Sequence, residues 1–287
     1  MHIGIVGHGF VGKATDYAFD TQNITKYIVD PMYKTTVTDM VKNHDPAFIF
    51  ISVPTPMSLD GSIDASIITD VFRELGASGS KAIAIVKSTV TPDVISHLEK
   101  IYSKIVYNPE FLTERNAKFD FVNAEMLVIG ASNSQYILDV EKLYRLHSKC
   151  KECPVVRVDL QSASMIKYTL NCFMATKVLF FNQLKDVFDK CGTGVHWDNF
   201  TDALKIDSRL GSSHMSVPGP DGRKGFGGAC FTKDTAALIK YAADVGRPFT
   251  ALEEVVHANQ EIRSAYEELD EREKAQNVNY SLERRVF

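Results

Sequence analysis

A chain of 287 residues, 45% hydrophobic and 24% charged, has the composition of a folded globular protein with length for one large core or two ordinary ones, which excludes disordered and fibrous classes. Its net charge of -4 provides no basic field for gathering phosphate backbones, so the charge balance gives no support for a nucleic-acid partner. Five cysteines, an odd number without framework spacing in a chain of this size, read as reduced thiols and leave one of them available for chemistry.

Met1 to Gly7 enters an apolar strand without a charged leader, and no apolar run reaches the length of a membrane span, so the expected address is cytoplasmic with no membrane partner. Short β-rich runs then alternate with helical stretches: Ile3–Val6, Tyr27–Val29, Phe48–Val53, Ala82–Val86, Ile105–Tyr107, Leu127–Ile129 and Val155–Val158. That alternation predicts an α/β fold with a mainly parallel, doubly wound sheet. From Gln161 the period changes to one long helix through Lys190, free of Pro and Gly, with Met165, Ile166, Leu170, Phe173 and Met174 at helical spacing. Helices follow over His196–Leu204, Thr232–Ala243 and residues 253–270, interrupted by the turn-rich segment Gly211–Gly228. The predicted organisation is a dinucleotide-binding domain over residues 1–158, a helical central domain over 159–270, and a charged tail over 271–287 that lacks an apolar stripe and is expected to fray.

Gly7-His8-Gly9-Phe10-Val11-Gly12 follows the first strand directly and opens a helix. In that context Gly7 permits the tight turn, Gly9 lets the backbone approach a pyrophosphate, and Gly12 allows close helix packing, while the helix N-terminus supplies amide donors. Asp30 ends the second strand eighteen residues later, where a carboxylate accepts ribose hydroxyls and repels a 2′-phosphate. NAD is therefore the expected cofactor, although Lys34 nearby can tolerate added negative charge.

Several residues in the rest of the chain carry chemistry. Cys230 and Asp234 lie four apart at a helix start, behind Gly225-Phe226-Gly227-Gly228. A thiol there gains thiolate character from the helix dipole and free amides, and the alternative is a small buried cysteine. Lys167 and Asn171 repeat the spacing on the long helix beside apolar neighbours, which reads either as a cation and an amide aimed at a developing oxyanion or as a lysine snorkelling to water. Glu110, in Asn108-Pro109-Glu110-Phe111-Leu112, follows a strand at the carboxyl edge of the sheet, open between a general base and a solvated loop acid. Ser88-Thr89-Val90 ends another strand at that edge and either positions a water or ribose or caps a helix. His147, Cys150 and Cys153 form an incomplete ligand set, so no metal is expected, and the lone Trp197 reads as core.

Together the glycine loop, Val53-Pro54-Thr55-Pro56, Lys87-Ser88-Thr89-Val90, Asn108-Pro109-Glu110-Phe111-Leu112, Lys167-Tyr168-x-x-Asn171 and Gly225-Phe226-Gly227-Gly228-Ala229-Cys230-Phe231-Thr232-Lys233-Asp234 resemble the UDP-glucose/GDP-mannose dehydrogenase family. The resemblance implies a Rossmann-type domain followed by a helical dimerisation domain, and a place in nucleotide-sugar metabolism and polysaccharide biosynthesis. It implies two NAD-dependent oxidations of a sugar 6-hydroxyl, with UDP-glucose as the expected substrate. Cys230 would be the nucleophile of a thiohemiacetal and then a thioester, and Glu110 the base. Thr89 and Asp234 would hold the water, and Lys167 and Asn171 the oxyanion. By the same resemblance Phe10, Val11, Val53, Pro54, Thr55, Ser88, Thr89 and Glu114 contact cofactor, whereas Phe111, Leu112, Arg209, Phe226 and Gly227 contact substrate. Arg209 would act across a homodimer whose core is the 161–190 helix.

There are departures. Thr113-Glu114-Arg115 stands where the family writes Arg-Glu-Gly, Ala124-Glu125-Met126 stands for its Pro-x-Arg, and Ser212–Lys224 is longer than the usual connection. The family also continues into a second α/β domain that grips the nucleotide, and this chain is expected to lack it. The grip is then expected to be weakened, or supplied by a partner chain, a neighbouring subunit or the loop around Pro218–Arg223. Rival readings are an NAD-binding scaffold or partner subunit, and a dehydrogenase of a smaller alcohol or aldehyde.

Overall fold

The computed structural model describes residues 1–113, 115–266 and 268–280. The chain divides into two compact units, one of Met1–Thr55 with Asp64–Lys167, the other of Pro56–Ile63 with the chain from Tyr168 onward.

The first unit is built on seven strands, β1 (His2–Val6), β2 (Thr25–Val29), β3 (Phe48–Ile51), β4 (Ile83–Val86), β5 (Ile105–Tyr107), β6 (Leu127–Gly130) and β7 (Val155–Val158), in the order β2-β1-β3-β4-β5-β6-β7. All neighbours are parallel except β5 and β6, which meet antiparallel at Tyr107 and Gly130. β3 and β4 read Phe-Ile-Phe-Ile and Ile-Ala-Ile-Val with no polar alternation, because helices cover both faces of such a sheet. Those helices are α1 (Phe10–Ala18), α2 (Val37–His44), α3 (Ser66–Ala77), α4 (Pro92–Ile101), α5 (Ala117–Val122) and α6 (Ser134–His147). On one side Phe19 packs its ring 4.8 Å from Phe50 and 5.2 Å from Tyr144. β1 pairs with β2 on one flank and β3 on the other, so the strand order reverses at the carboxyl end of β1, where doubly wound folds open a ligand crevice.

A polar cluster is sealed inside this unit. Lys87, 4% exposed, donates from Nζ to Asn108 Oδ1 at 3.0 Å; Tyr144 donates to the same oxygen at 2.7 Å, and Asn108 Nδ2 donates to the Val128 carbonyl at 2.7 Å. The arrangement clamps the start of the 108–112 loop. Burial pulls the Lys87 ammonium down to about 8.

α7 (Leu160–Lys190) runs 31 residues, about 46 Å at 1.5 Å per residue, and the boundary between the units falls within it, after Lys167. The second unit continues with α8 (Trp197–Lys205), α9 (Ala229–Asp244), α10 (Thr250–Arg263) and α11 (Glu271–Ala275). Trp197 is core, its ring against Phe181, Phe188 and Phe200 and its indole N–H donating to the Met215 carbonyl at 3.2 Å. Among the described residues no helix is long and apolar enough to cross a membrane.

The tail corrects the sequence-based expectation of fraying as far as Tyr280; residues 281–287 lie outside the described residues. Glu273 is 1% exposed, and Val278 and Tyr280 are buried. What holds this segment is hydrogen bonding to a carboxylate, which leaves no apolar period in the sequence.

A lysine that titrates near 8 when folded and near 10.5 when unfolded weighs fully on the folded state below pH 8, and that weight lifts as pH rises through the interval. Denaturant midpoints are expected to rise for the wild-type chain relative to Lys87→Met between pH 8 and 10.5. A constant difference across that window would show that Lys87 is protonated alike in both states.

Candidate functional site

The glycine loop leaves β1 with a different physical reason for each glycine. Gly7 has φ of +85°, which favours glycine, and a Cβ there would lie 2.7 Å from the Ser52 carbonyl oxygen. At Gly12 a Cβ would lie 2.0 Å from the Gly7 carbonyl oxygen, so α1 approaches β1 this closely only without a side chain. At Gly9 a Cβ would meet nothing within 4 Å. That open approach at the N-terminus of α1 is the room a pyrophosphate needs, and the loop therefore fits a dinucleotide.

Asp30, at the end of β2, accepts from the His8 amide at 2.7 Å and from the Met32 amide at 3.0 Å. The His8 hydrogen bond, ahead of the Met32 one, holds its carboxyl below the usual range. The carboxylate is thus charged and tied to the glycine loop. Phe10 and Val11 are half-buried in the first turn of α1, and Lys34 is exposed in a left-handed conformation. After β3 and β4, Ser88 donates to the Val53 carbonyl at 2.6 Å and Thr55 to the Thr89 carbonyl at 2.9 Å, joining the two loops at the carboxyl edge, with Pro54 exposed between. The expectation at Glu114 lies outside the described residues.

Glu110 and Lys167, separate in sequence, meet here. Lys167 Nζ lies 3.1 Å from Glu110 Oε1 and 2.6 Å from the Glu110 carbonyl, while Oε2 accepts from the Leu112 amide at 2.7 Å. Lys167 is 3% exposed, which removes the snorkelling alternative. Its ammonium sits 5.4 Å from the Phe111 ring centroid, and Leu112 packs on the core beneath.

In the second unit α9 begins at Ala229, three residues earlier than the sequence predicts, so Cys230 stands in the helix's first turn. Gly228, just before it, has φ of +78°. Asp234, one turn on and 1% exposed, accepts from Asn171 Nδ2 at 2.6 Å on one oxygen and from Lys233 on the other. The sequence reading missed Lys233; its place beside Asp234 in the motif was the available signal. Cys172 donates to the Asp234 carbonyl at 3.6 Å, and burial pushes its thiol well up. Phe226 is buried at 3%, with its main-chain N–H and carbonyl both bonded to Asn259, while Gly227 stays partly open. Arg209 turns back onto Asp207 and is exposed. Among the described residues no three His, Cys, Asp or Glu side chains group closely enough to hold a metal ion.

Residues 31–148 match the NAD binding domain of the UDP-glucose/GDP-mannose dehydrogenase family, and residues 161–261 match its central domain. The chain belongs to that family. It carries the family's NAD-binding domain, and its sheet and long helices follow the fold of the family's solved members. It is 31% identical to UDP-glucose 6-dehydrogenase TuaD of Bacillus subtilis (strain 168) over 304 residues, covering 91% of this chain and 63% of that protein. It is 32% identical to UDP-glucose 6-dehydrogenase YwqF of the same organism, covering 90% and 66%. The chain thus spans just under two thirds of the length of these curated relatives. In fold it is similar to a UDP-glucose dehydrogenase from the hyperthermophilic archaeon Pyrobaculum islandicum, with a TM-score of 0.74 at 22% identity over 91% of this chain and 68% of that one.

Two outcomes follow from the geometry. Gly12→Ala is expected to cost about 2 kcal/mol or more in chemical unfolding, because the obstructing atom is backbone, whereas Gly9→Ala should unfold like wild type and bind NAD at least about tenfold more weakly by calorimetry. Lys167→Met, which strips a buried carboxylate of its cation, is expected to destabilise by about 3–5 kcal/mol, and adding Glu110→Gln should recover much of that loss.

Proposed function

We propose that this chain oxidises the 6-hydroxyl of a nucleotide sugar of the UDP-glucose kind to the uronic acid, with NAD as oxidant and Cys230 as nucleophile. The observation that carries the reading is Cys230 in the first turn of α9, one turn from a buried carboxylate held by Asn171 and Lys233. A structural cysteine needs no such company. Gly7, Gly9, Gly12 and Asp30 would hold NAD, with Phe10, Val11, Lys34, Val53, Pro54, Thr55 and Ser88 around it. When bound, NAD supplies the acceptor for two electrons at each of two oxidations.

The chain's own residues supply the rest. The Cys230 thiolate attacks the aldehyde carbon, a C–S bond forms, and the carbonyl oxygen takes the negative charge. Lys167 and Asn171 offer a cation and an amide N–H to that oxygen. After the second oxidation the carbon is a thioester, and water must cleave its C–S bond to release carboxylate and thiol. Glu110, shielded from solvent and held by the Leu112 amide, is the base that takes the water's proton, with Thr89 and Asp234 placing the water. Phe111, Leu112 and the open main chain at Gly227 would line the sugar's place.

The same reading extends to a homodimer. Phe173, Phe180 and Val187 recur seven residues apart on α7 and are all about two-thirds exposed, an apolar stripe of the kind one helix presents to another copy of itself. The exposed Arg209 is then the residue that reaches the neighbouring copy's substrate.

Purified protein with NAD and a panel of sugar nucleotides, UDP-glucose first, is expected to form two NADH per sugar by absorbance, and Cys230→Ser to form none of the acid. Absence of NADH with every substrate would sink the enzyme reading. One NADH per sugar with aldehyde released would remove the thioester half.

A further inference from the structure

Among the fully buried side chains of the second unit the largest is a charged one, Arg263 at the end of α10, 1% exposed. Its Nη1 donates to Asp221 at 2.7 Å and its Nη2 to Glu273 at 3.3 Å, with the rings of Tyr266 and Tyr280 flanking the guanidinium at 5.8 and 5.2 Å. A guanidinium out of water with carboxylates on two sides is fixed in position. What it is pressed against is the glycine run: a Cβ on Gly227 would lie 1.8 Å from Nη2, and one on Gly225 3.2 Å from Cδ.

Glu273 reaches the next residue of the run. Its Oε1 accepts from the Gly228 amide at 2.9 Å and from the Tyr280 hydroxyl at 2.8 Å, and its Oε2 accepts from the Asp270 amide at 2.9 Å. Asn182 and Asn259 hold the run's earlier residues, Gly225 and Phe226, through their main chain. Gly228 is the residue just before the start of α9, two positions before Cys230.

We propose that Arg263 and Glu273 are positioning residues for Cys230: together they fix the main chain at Gly227 and Gly228, and with it the direction in which the first turn of α9 presents the thiol. Residues 270–280 then belong to the nucleophile's support and are no appendage. The proposal rests on the reading of Cys230 as the nucleophile. Its consequence, a thiol whose reactivity depends on Glu273, can be measured without any substrate.

The test is the rate at which iodoacetamide alkylates Cys230 in the full chain, followed by peptide mass spectrometry, with exposed Cys191 and buried Cys172 as internal references. Glu273→Ala is expected to slow Cys230 about tenfold by releasing the helix start that favours the thiolate, with Cys191 unchanged and Cys172 still protected. Glu273→Gln, which keeps an oxygen for the Gly228 amide, should bring the rate back to within about threefold of wild type. An unchanged Cys230 rate in folded Glu273→Ala overturns the proposal, and so does Cys172 becoming labelled in step with Cys230. Should Glu273→Ala fail to fold, Arg263→Lys is expected to slow Cys230 similarly, and an unchanged rate there overturns the proposal equally. Since neither NAD nor sugar is present, a chain unable to oxidise any sugar nucleotide would leave this result standing.

Discussion

A carboxylate taken out of water has to be met by donors on nearly every side, and three of them organise this molecule. Glu110 is met by Lys167 and the Leu112 amide, Asp234 by Asn171 and Lys233, and Glu273 by Arg263, Tyr280 and two main-chain amides. In each case one donor comes from far along the chain, Lys167 for Glu110, Asn171 for Asp234 and Gly228 for Glu273, so satisfying the charge also fixes how those segments pack. Glu110 ties the 108–112 loop to the start of α7, Asp234 ties α9 to the middle of α7, and Glu273 ties the tail to α10 and to the glycine run. The catalytic reading and the stability of the fold therefore draw on the same interactions.

The glycine loop obeys a different constraint, the exclusion of atoms. Gly7 and Gly12 are small because backbone oxygen stands where a Cβ would be, and Gly9 is small where the space in front of it is open. Two of the three are thus accounted for by the packing of the protein itself, and the third is not. Asp30, charged and bonded to the His8 amide within that loop, makes the cradle continuous with the end of β2.

Much of this was legible in the sequence. All seven strands stand where alternating apolar runs placed them, and the long helix begins within a residue of its expected start, because period and length are local properties of the chain. The single antiparallel strand pair was not legible, since direction depends on connections rather than composition. Cys230, Asp234, Lys167, Asn171 and Glu110 were picked out by residue type and spacing, yet the pairing of Glu110 with Lys167 and of Asn171 with Asp234 was not, as it depends on how loops return in space. Lys233, Arg263 and Glu273 escaped for a shared reason: a charged residue in a helical or charged stretch reads as a solvated face, and only tertiary packing reveals it as buried. The expectation of fraying over residues 271–287 has the same cause.

One excursion of the chain bears on how the protein is made. Between Thr55 and Asp64 the polypeptide leaves the first unit to give Pro56–Ile63 to the second, where Met57 donates to the Gln276 carbonyl and accepts from Asn277, 220 residues further along. On the ribosome this short segment emerges 220 residues ahead of Asn277. The nucleotide-binding unit therefore emerges with this loop unsatisfied, and joining the loop to its partners waits until Gln276 and Asn277 have been synthesised.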